Sequence, residues 1–392
     1  MNEKANGPMP AVAMLGTFPP QSQGISSYCG DLVSALSELC DVYAIGYAKM
    51  YPALFFPGTA SDVDPTAQLP KGPRLHVSHK LKYYNPLGWI LAAGSAPCAV
   101  FHLQWWSLPL WPISFVFLVV MKLRGKKIVL TAHNVQPHER ASLFVPLARI
   151  LCHFADAYIV HGRRNLEEFS RVYGVPLDRI FDVPHPIRPA ALPPEDSALA
   201  RKELGIQKDG KTILFFGIIR PYKGLETLLR AFKEVSETIP AATLVVAGKP
   251  WSDWAPYEAL IEELGIADRI LCFLEYVPEE SLPRFFATAD VAALPYTHFS
   301  AQSGAASRTV ALGTPLIVSD AGELPHAGAY DKRWIVPHDN TEALSKRLIQ
   351  FFENQEAEEN EFNEVPEGAR RAASPEAVAA RHMEVYTRLI RG

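Results

Sequence analysis

The sequence predicts an α/β fold built from two doubly wound domains. Short β-branched runs alternate with helical patterns along the chain, as they do in parallel sheets with crossover helices. The chain has 392 residues, which is too many for one ordinary hydrophobic core, and the alternation occurs in both halves. We therefore expect two Rossmann-like domains, each presenting the carboxyl ends of its strands to a central cleft.

The expected strands form two series on either side of a Pro- and Ala-rich segment at 187–206. Those of the first series lie at 11–18, 40–47, 73–79, 98–105, 126–134, 157–162 and 179–186. Those of the second lie at 212–218, 242–249, 269–277, 291–296, 314–320 and 333–337. We place the first domain at 8–186, an interdomain linker at 187–206 and the second domain at 207–373. A helix at 374–392 follows, with Ser374 as N-cap and Pro375 in its first position, and we expect it to cross back to the first domain.

The composition is that of a globular protein. Apolar residues make up 48% and charged residues 20%, and the formal net charge of −4 argues against nucleic acid as a partner. The five cysteines are scattered, without the paired spacing of a zinc site, so we expect reduced thiols. Residues 1–18 lack the pattern of a secretory signal, which favours a cytoplasmic location.

The most lipid-like segment is 105–123, but Pro109 and Pro112 interrupt it. The uninterrupted apolar run at 113–121 is far shorter than the roughly 20 residues of a membrane span, so we expect a buried crossover helix. Four cations between 122 and 127 follow it and would suit anionic headgroups. Peripheral binding to the inner membrane face therefore stays open.

The most informative motif is FFGIIRPYKGLETLLRAF at 215–232, where an apolar strand runs into a helix. Arg220 and Lys223 lie in the connecting loop, and the helix after Gly224 directs its positive end to the same place. A forked guanidinium and a point-charge ammonium would neutralise a leaving nucleoside diphosphate. The alternative is a solvated pair of cations at a helix start, and this spacing alone leaves both interpretations open.

A second loop, GTFPPQSQGISSY, follows the first expected strand. Gly16 and Gly24 precede a helix from about Ile25, so backbone N–H groups are available to an anion. The three-glycine spacing of a dinucleotide site is absent, and the next strand does not end in an acidic residue. Hydride transfer is therefore disfavoured.

In TAHNVQPHER, at 131–140, His133 lies where a strand meets its loop. A histidine there is able to bond a sugar hydroxyl or stabilise charge, and His138 or Glu139, which begin the next helix, would serve proton transfer. The alternative for each is that it only fixes the loop backbone.

In the segment 293–325 a polar loop leads into an Ala-rich helix. Gln302, Ser303 and Gly304 stand at the start of that helix, where small side chains and N–H groups suit a phosphate or sugar oxygens. Asp62 and Asp64 have the spacing of a metal-binding pair, but no strand precedes them, so we expect no metal there.

Taken together, these segments resemble the retaining glycosyltransferases of family 4, which have the GT-B fold of two Rossmann-like domains. The resemblance covers residues 11 to about 390, and the motifs occur in the family's order. They are FPPQSQGISSY, TAHNVQPHE, FFGIIRPYKGLETLL, LVVAGKP, the LPY loop with QSG, and ALGTPLIVSDAGELP.

The resemblance implies roles for individual residues. Arg220 and Lys223 match the pair that grips the donor diphosphate. Gly24 matches the glycine of the first loop near donor phosphate and acceptor, and His133 matches the histidine that contacts the transferred sugar. The loop that contacts sugar and phosphate corresponds to Gln302, Ser303 and Gly304.

One departure affects the donor site. Many members carry a pair of glutamates at the positions that Ser300 and Arg308 occupy here. The loop resembles a branch that has QSG instead, so Arg308 is kept as a donor-binding candidate and Glu323 as a replacement contact. Ribose recognition and the choice of sugar are left open by this difference.

The resemblance implies a metal-independent, retaining transfer of sugar from a nucleoside-diphosphate sugar, without a cofactor. GDP-mannose is favoured over UDP-sugars as the donor. The acceptor is expected to be a saccharide, in lipid-linked form, of exopolysaccharide or cell-envelope glycan synthesis. Two alternatives remain: a nucleotide-sugar binding subunit without turnover, which the missing glutamates motivate, and a sugar-nucleotide epimerase on the same fold.

Overall fold

The computed structural model describes residues 10–21, 24–50, 69–135, 143–186, 196–207, 209–299, 303–326, 332–363, 371 and 373–391. The chain divides into two compact units. Unit 1 comprises Met1–Pro186 and Ala373–Gly392, and unit 2 comprises Ile187–Ala372.

Unit 1 contains a seven-stranded, all-parallel sheet in the order β3-β2-β1-β4-β5-β6-β7. Its strands are β1 Val12–Leu15, β2 Val42–Lys49, β3 Leu75–Lys82, β4 Val100–Trp105, β5 Lys127–Ala132, β6 Ala157–Val160 and β7 Ile180–Asp182. Its helices are α1 Gly24–Ser37, α2 Pro86–Ser95, α3 Trp111–Leu123, α4 Phe144–Cys152, α5 Arg163–Tyr173 and α13 Pro375–Arg391.

The sheet of unit 1 is covered on both faces, which explains why every residue of the central strands β1 and β4 is buried. Along β1, Val12 and Met14 face the buried cluster formed with α1 and α13. Ala13 and Leu15 face the opposite cluster, formed with α2, α3, α4 and α5. The period of two along the strand thus assigns alternate side chains to two separate cores.

Helix α13 belongs to unit 1 and begins with the expected cap, because the Ser374 hydroxyl oxygen accepts a bond from the Ala377 N–H at 3.2 Å. Val378 and Tyr386 lie in the buried cluster that also contains Leu32 and Leu36 of α1. The helix therefore completes the core on one face of the first sheet.

Unit 2 contains a six-stranded parallel sheet in the order β10-β9-β8-β11-β12-β13. Its strands are β8 Lys211–Phe216, β9 Ala242–Ala247, β10 Ile270–Phe273, β11 Val291–Leu294, β12 Leu316–Ser319 and β13 Ile335–Val336. Its helices are α6 Ser197–Leu204, α7 Leu225–Thr238, α8 Ala255–Leu264, α9 Leu282–Thr288, α10 Gly304–Ala311, α11 Thr341–Glu353 and α12 Gln355–Asn363.

Helix α6 corrects the expected linker, whose second half is part of unit 2. The buried Arg201 guanidinium donates to the carbonyl oxygens of Gly210 and Thr288 and pairs with Asp290 at 3.3 Å. These bonds join the helix to the segments before β8 and β11, which the Pro- and Ala-rich composition did not reveal. Residues 187–195 lie outside the described residues.

The remaining fold predictions agree with the structure. All thirteen expected strands are present, and α3 buries Ile113, Phe117 and Met121 as a crossover helix should. The five cysteines are unpaired thiols. Within the ranges described above, no helix combines the length and apolarity needed to cross a membrane.

Candidate functional site

The cation motif lies in the loop between β8 and α7, at the carboxyl edge of the second sheet. Gly217 follows the strand with φ of 107°, a 3-10 turn spans Pro221–Lys223, and Gly224 precedes α7 with φ of 71°. A Cβ atom on Gly224 would lie 1.9 Å from the carbonyl oxygen of Pro295, directly after β11. Only glycine therefore permits this close approach of the two loops.

Lys223 is buried in this loop, with an exposed fraction of 8%. Its Nζ lies 5.5 Å from the centre of the Tyr296 ring and would be 2.9 Å from a Cβ on Gly217. Burial, and then the charge of Arg220, lowers the pKa of Lys223 to about 7. An anion bound beside it would favour the ammonium form and raise this pKa again.

Arg220 is half-buried, and its guanidinium Cζ lies 4.1 Å from the centre of the Trp251 ring. The backbone N–H of Trp251 donates to the Ile219 carbonyl oxygen at 2.9 Å, so the residue that carries the indole is bonded to the loop. Among the described residues, neither Arg220 nor Lys223 pairs with a carboxylate. Stacking occupies the face of the guanidinium and leaves its in-plane N–H groups for oxygen ligands.

The start of α10 lies beside the same loop. The Ser303 hydroxyl caps the helix by accepting from the Ala306 N–H at 3.2 Å, and it bonds the Tyr296 hydroxyl at 3.0 Å. A Cβ on Gly217 would lie 3.5 Å from the Cβ of Ala305. The structure therefore places the first turn of α10 next to the loop that carries Lys223.

The other donor-site candidates of unit 2 differ in their surroundings. Gly304 is exposed, and a Cβ there would meet no atom within 4 Å, so packing does not require a glycine. Arg308 lies one turn further along α10 and is half-buried, and Glu323 is buried after β12. Gln302 lies outside the described residues.

In unit 1, the first-loop glycines stand at either end of the β1–α1 connection. Gly16 follows β1, where a Cβ would lie 3.1 Å from the Gln104 side chain. Gly24 is the first residue of α1, and the loop residues 22 and 23 are not described.

His133 directly follows β5 and is buried. Its Nε2–H donates to the Gln104 Oε1 at 2.8 Å, and the Gln104 amide donates to His102 Nε2 at 3.2 Å. The His102 Nδ1–H in turn reaches the Tyr386 hydroxyl of α13 at 2.7 Å. Burial, and then the neighbouring imidazoles, hold the pKa of His133 well below its ordinary value.

Two histidines that we did not single out in the sequence surround His133. The ring centroid of His161 lies 5.2 Å from that of His133, and His185 lies 4.4 Å from His161. The ring of Tyr28, in the second turn of α1, packs against all three imidazoles at 4.7 to 5.1 Å between centroids. Burial lowers the pKa of His161 to about 4, so the cluster carries no positive charge at neutral pH.

A signal for this cluster was present in the sequence. His133 and His161 directly follow β5 and β6, and His185 comes three residues after β7. Because the carboxyl ends of neighbouring parallel strands meet at one edge, residues in these positions converge. The proton-transfer candidates His138 and Glu139, and the pair Asp62 and Asp64, lie outside the described residues.

Comparison with known proteins shows the fold of the chain and finds sequence relatives for part of it. Residues 196–364 match the family model of glycosyl transferases group 1. A D-inositol 3-phosphate glycosyltransferase from Acidothermus cellulolyticus is 32% identical over 181 residues, which make up 44% of this chain and 40% of that protein. The chain thus spans about 40% of the length of the curated relatives that it matches.

Two solved structures are similar along nearly the whole chain. HepE of Anabaena, in complex with UDP and glucose, has a TM-score of 0.75 at 13% identity, with 97% of this chain and 100% of that chain covered. Sucrose-phosphate synthase of Thermosynechococcus elongatus has a TM-score of 0.73 at 18% identity, with 97% and 99% covered. Residues 196–364 are therefore similar to the group 1 glycosyl transferases, and the chain as a whole has the GT-B fold.

Proposed function

We propose that this protein is a retaining glycosyltransferase that moves a sugar from a nucleoside-diphosphate sugar to a saccharide acceptor. Unit 2 binds the donor in this proposal, and unit 1 binds the acceptor. The single observation that carries it is the buried Lys223 beside Arg220, two cations with no carboxylate partner among the described residues. A buried ammonium is costly unless an anion compensates it, and a diphosphate supplies that anion.

The chemistry follows from where negative charge develops. As the glycosidic bond breaks, electrons move onto the leaving diphosphate, and Arg220 and Lys223 stabilise that charge without having to reorient. These two cations fill the role that a divalent metal has in other transferases, so we propose that diphosphate departure is metal-independent. The N–H groups at the start of α10 would add donors to the sugar or phosphate, with Ser303, Gly304 and Arg308 in the donor site.

Retention follows if the acceptor hydroxyl enters on the face that the diphosphate leaves. A diphosphate oxygen then takes the hydroxyl proton, the new glycosidic bond forms at the anomeric carbon, and the nucleoside diphosphate departs. We propose that the neutral His133 accepts a hydrogen bond from a hydroxyl of the transferred sugar through its remaining nitrogen, Nδ1.

Helix α2 supports a lipid-linked acceptor at an anionic membrane surface. Leu87, Ile90 and Leu91 have the i, i+3, i+4 spacing of one helix face, and their exposed fractions are 67%, 48% and 63%. Cations flank both ends of the helix: Lys82 precedes it, and the Arg124 guanidinium donates to the Ala93 carbonyl at 2.7 Å. An exposed apolar face between cations is typical of helices that lie on anionic bilayers.

A thermal-shift screen with UDP, GDP, ADP and their sugars tests the donor assignment, because a ligand that binds only the folded state raises the melting temperature. We keep GDP-mannose as the expected donor, and the HepE complex with UDP makes UDP-sugars the first alternative. Absence of a shift with every nucleotide and nucleotide sugar would contradict the proposal.

Turnover assays then separate the proposed transferase from the two alternatives. Transfer or donor hydrolysis that is lost in Lys223→Ala supports the transferase. Nucleotide binding without turnover on any acceptor favours a binding subunit, and alteration of the donor without an acceptor favours an epimerase. Vesicles with and without anionic lipid, each carrying a polyprenyl-linked saccharide, test the acceptor and the membrane surface together.

A further inference from the structure

We propose that His133, His161 and His185 form a binding site for a divalent transition metal of the zinc class. Their side-chain ligand atoms all lie within 4.8 Å of one another. Nothing in the proposed handling of the diphosphate requires this site, which belongs to unit 1 and uses no residue of unit 2.

The backbone brings the three imidazoles together through the order of the sheet. Strands β5, β6 and β7 are neighbours, with Leu130 paired to Tyr158 and Tyr158 paired to Ile180. His133 and His161 directly follow β5 and β6, so two neighbouring strands support two of the ligands, and His185 follows three residues after β7. Sites held by sheet elements keep their geometry better than sites on long loops.

Hydrogen bonds fix the tautomers of His133 and His161 in the form that binds metal. The Gln104 Oε1 and the Val183 carbonyl oxygen accept only, so His133 Nε2 and His161 Nδ1 must carry protons to donate to them at 2.8 and 2.7 Å. In the neutral rings, His133 Nδ1 and His161 Nε2 then hold lone pairs. An oxygen acceptor that orients the other ring nitrogen is the usual support for a metal-binding histidine.

Those two lone pairs are buried and have no hydrogen-bond partner among the described residues. The exposed fractions of His133 and His161 are 4% and 1%. Unpartnered acceptors in such a position are costly, and a bound cation would satisfy both at once. His185 is half-buried, the most exposed of the three, and supplies the third nitrogen in this proposal.

The surroundings favour zinc, cobalt or nickel over calcium or magnesium. Imidazole nitrogens suit the borderline transition metals, whereas the hard cations require oxygen ligands. The Tyr28 ring packs on the imidazoles, but its hydroxyl is directed to His382 Nε2 at 3.4 Å. Three nitrogens at about 2.0 Å from one metal lie about 3.3 Å apart, so binding draws the ligand atoms together by up to about 1.5 Å and leaves a fourth position open.

Occupancy would have one consequence for the proposed reaction. His133 has a single free nitrogen, Nδ1, because Gln104 occupies Nε2. The metal and a sugar hydroxyl would therefore exclude each other at this residue. The binding test below does not depend on transfer, so its failure leaves the proposed function standing, and the reverse also holds.

The test is a titration of the chelator-treated full chain with Co²⁺ and Zn²⁺. The Cys272→Ser background removes the exposed thiol as a competing ligand. We expect one Co²⁺ per chain by equilibrium dialysis, visible d–d bands of a nitrogen-ligated tetrahedral ion, and displacement of Co²⁺ by Zn²⁺. His153→Ala removes an exposed histidine outside the cluster and should leave the binding unchanged.

His161→Ala and His185→Ala should each weaken Co²⁺ binding at least about 100-fold. Melting curves recorded without metal show whether each variant is folded, and the half-buried position 185 is the more tolerant of the two. The proposal is overturned if the parent protein binds no stoichiometric Co²⁺, or if binding survives in a folded variant.

Discussion

In unit 1 the segments after β5, β6 and β7 carry three imidazoles, whereas in unit 2 the loop after β8 carries a guanidinium and an ammonium. The two sheets share their strand order through six strands and are parallel throughout. Because the two sheets have the same topology, corresponding loops lie at the carboxyl edge of each sheet. The residues immediately after the strands then determine the chemistry at that edge.

The two edges are also supported in different ways. In unit 1, side-chain hydrogen bonds run from His133 through Gln104 and His102 to Tyr386 on α13. In unit 2, close backbone packing supports the cation loop, because a Cβ on Gly224 would lie 1.9 Å from the Pro295 carbonyl oxygen and one on Gly248 would lie 2.2 Å from the Gly217 carbonyl oxygen. One edge therefore depends on polar side chains and the other on the absence of side chains.

Burial governs the charge of the side chains at both edges. Burial disfavours a charged form, so the imidazoles stay neutral and Lys223 has a pKa of about 7. A neutral edge with acceptor lone pairs suits hydroxyl donors or a metal ion. An edge with buried cations suits phosphate oxygens, and an anion restores the charge that burial opposes.

Removing the ammonium of Lys223 at the carboxyl edge of unit 2 should have the largest effect, which is on the rate of transfer. Lys223→Met should lower kcat/KM for transfer by about 10²- to 10³-fold, because one preorganised charge on the leaving diphosphate is lost. Initial rates at saturating acceptor measure this. Lys233→Met removes an exposed ammonium of α7 that pairs with Glu237 at 3.0 Å, and it should leave the rate unchanged. Equal rates in both variants would contradict the assignment.

Adding a side chain at Gly224 should break the backbone support of the cation loop. In Gly224→Ala the new Cβ meets the Pro295 carbonyl at 1.9 Å and the positive φ becomes strained, so unfolding should become easier by about 3 kcal/mol. Gly304→Ala meets no atom within 4 Å and should change stability by less than about 0.5 kcal/mol. Urea midpoints of the full chain measure both, and equal midpoints would refute the packing argument.

Removing one hydroxyl tests the polar support of the first edge. In Tyr386→Phe the buried His102 Nδ1–H loses its acceptor, which should cost about 1–3 kcal/mol of folding free energy. Tyr28→Phe removes a hydroxyl whose contact with His382 is 3.4 Å long, so its cost should be below about 1 kcal/mol. Thermal melts compare the pair. A larger loss in Tyr28→Phe would show that the network is not what supports this edge.

The strands and the cation loop could be predicted because their information is local. Most strands are short apolar runs near Gly or Pro residues, and Arg220 and Lys223 stand in the connection to a clearly amphipathic helix. That Gly224 permits the contact with Pro295 could not be predicted, because the contact joins loops from different strands. Such contacts depend on the strand order, which the local pattern does not contain.

The imidazole cluster was missed for the same reason. The sequence places His133, His161 and His185 far apart, and only the adjacency of β5, β6 and β7 brings them together. The prediction that the second half of 187–206 is a linker was wrong because the polar residue Arg201 is buried in unit 2, where it donates hydrogen bonds to backbone carbonyl oxygens. Composition counts that residue as exposed, whereas its hydrogen bonds determine its burial.

The smallest expected effect is the pH dependence of donor affinity, which distinguishes the ammonium of unit 2 from the imidazoles of unit 1. The pKa of Lys223 in the free protein is about 7, below its ordinary value of 10.5. Above that pH the free protein has lost the proton that the bound diphosphate favours, so binding must take up a proton and affinity should fall by up to about tenfold per pH unit. A nucleotide sugar is the right probe, because its diphosphate does not titrate in this range.

Calorimetry between about pH 6 and about pH 9 measures that slope. Lys223→Arg keeps its charge throughout the range, so its affinity should be nearly independent of pH even if it is weaker. Deprotonation of the imidazoles at the first edge lies below this range, since burial keeps the pKa of His161 at about 4. A pH-dependent loss of affinity therefore reports the ammonium of unit 2 alone, and a flat profile for the unmodified protein would show that Lys223 does not contact the diphosphate.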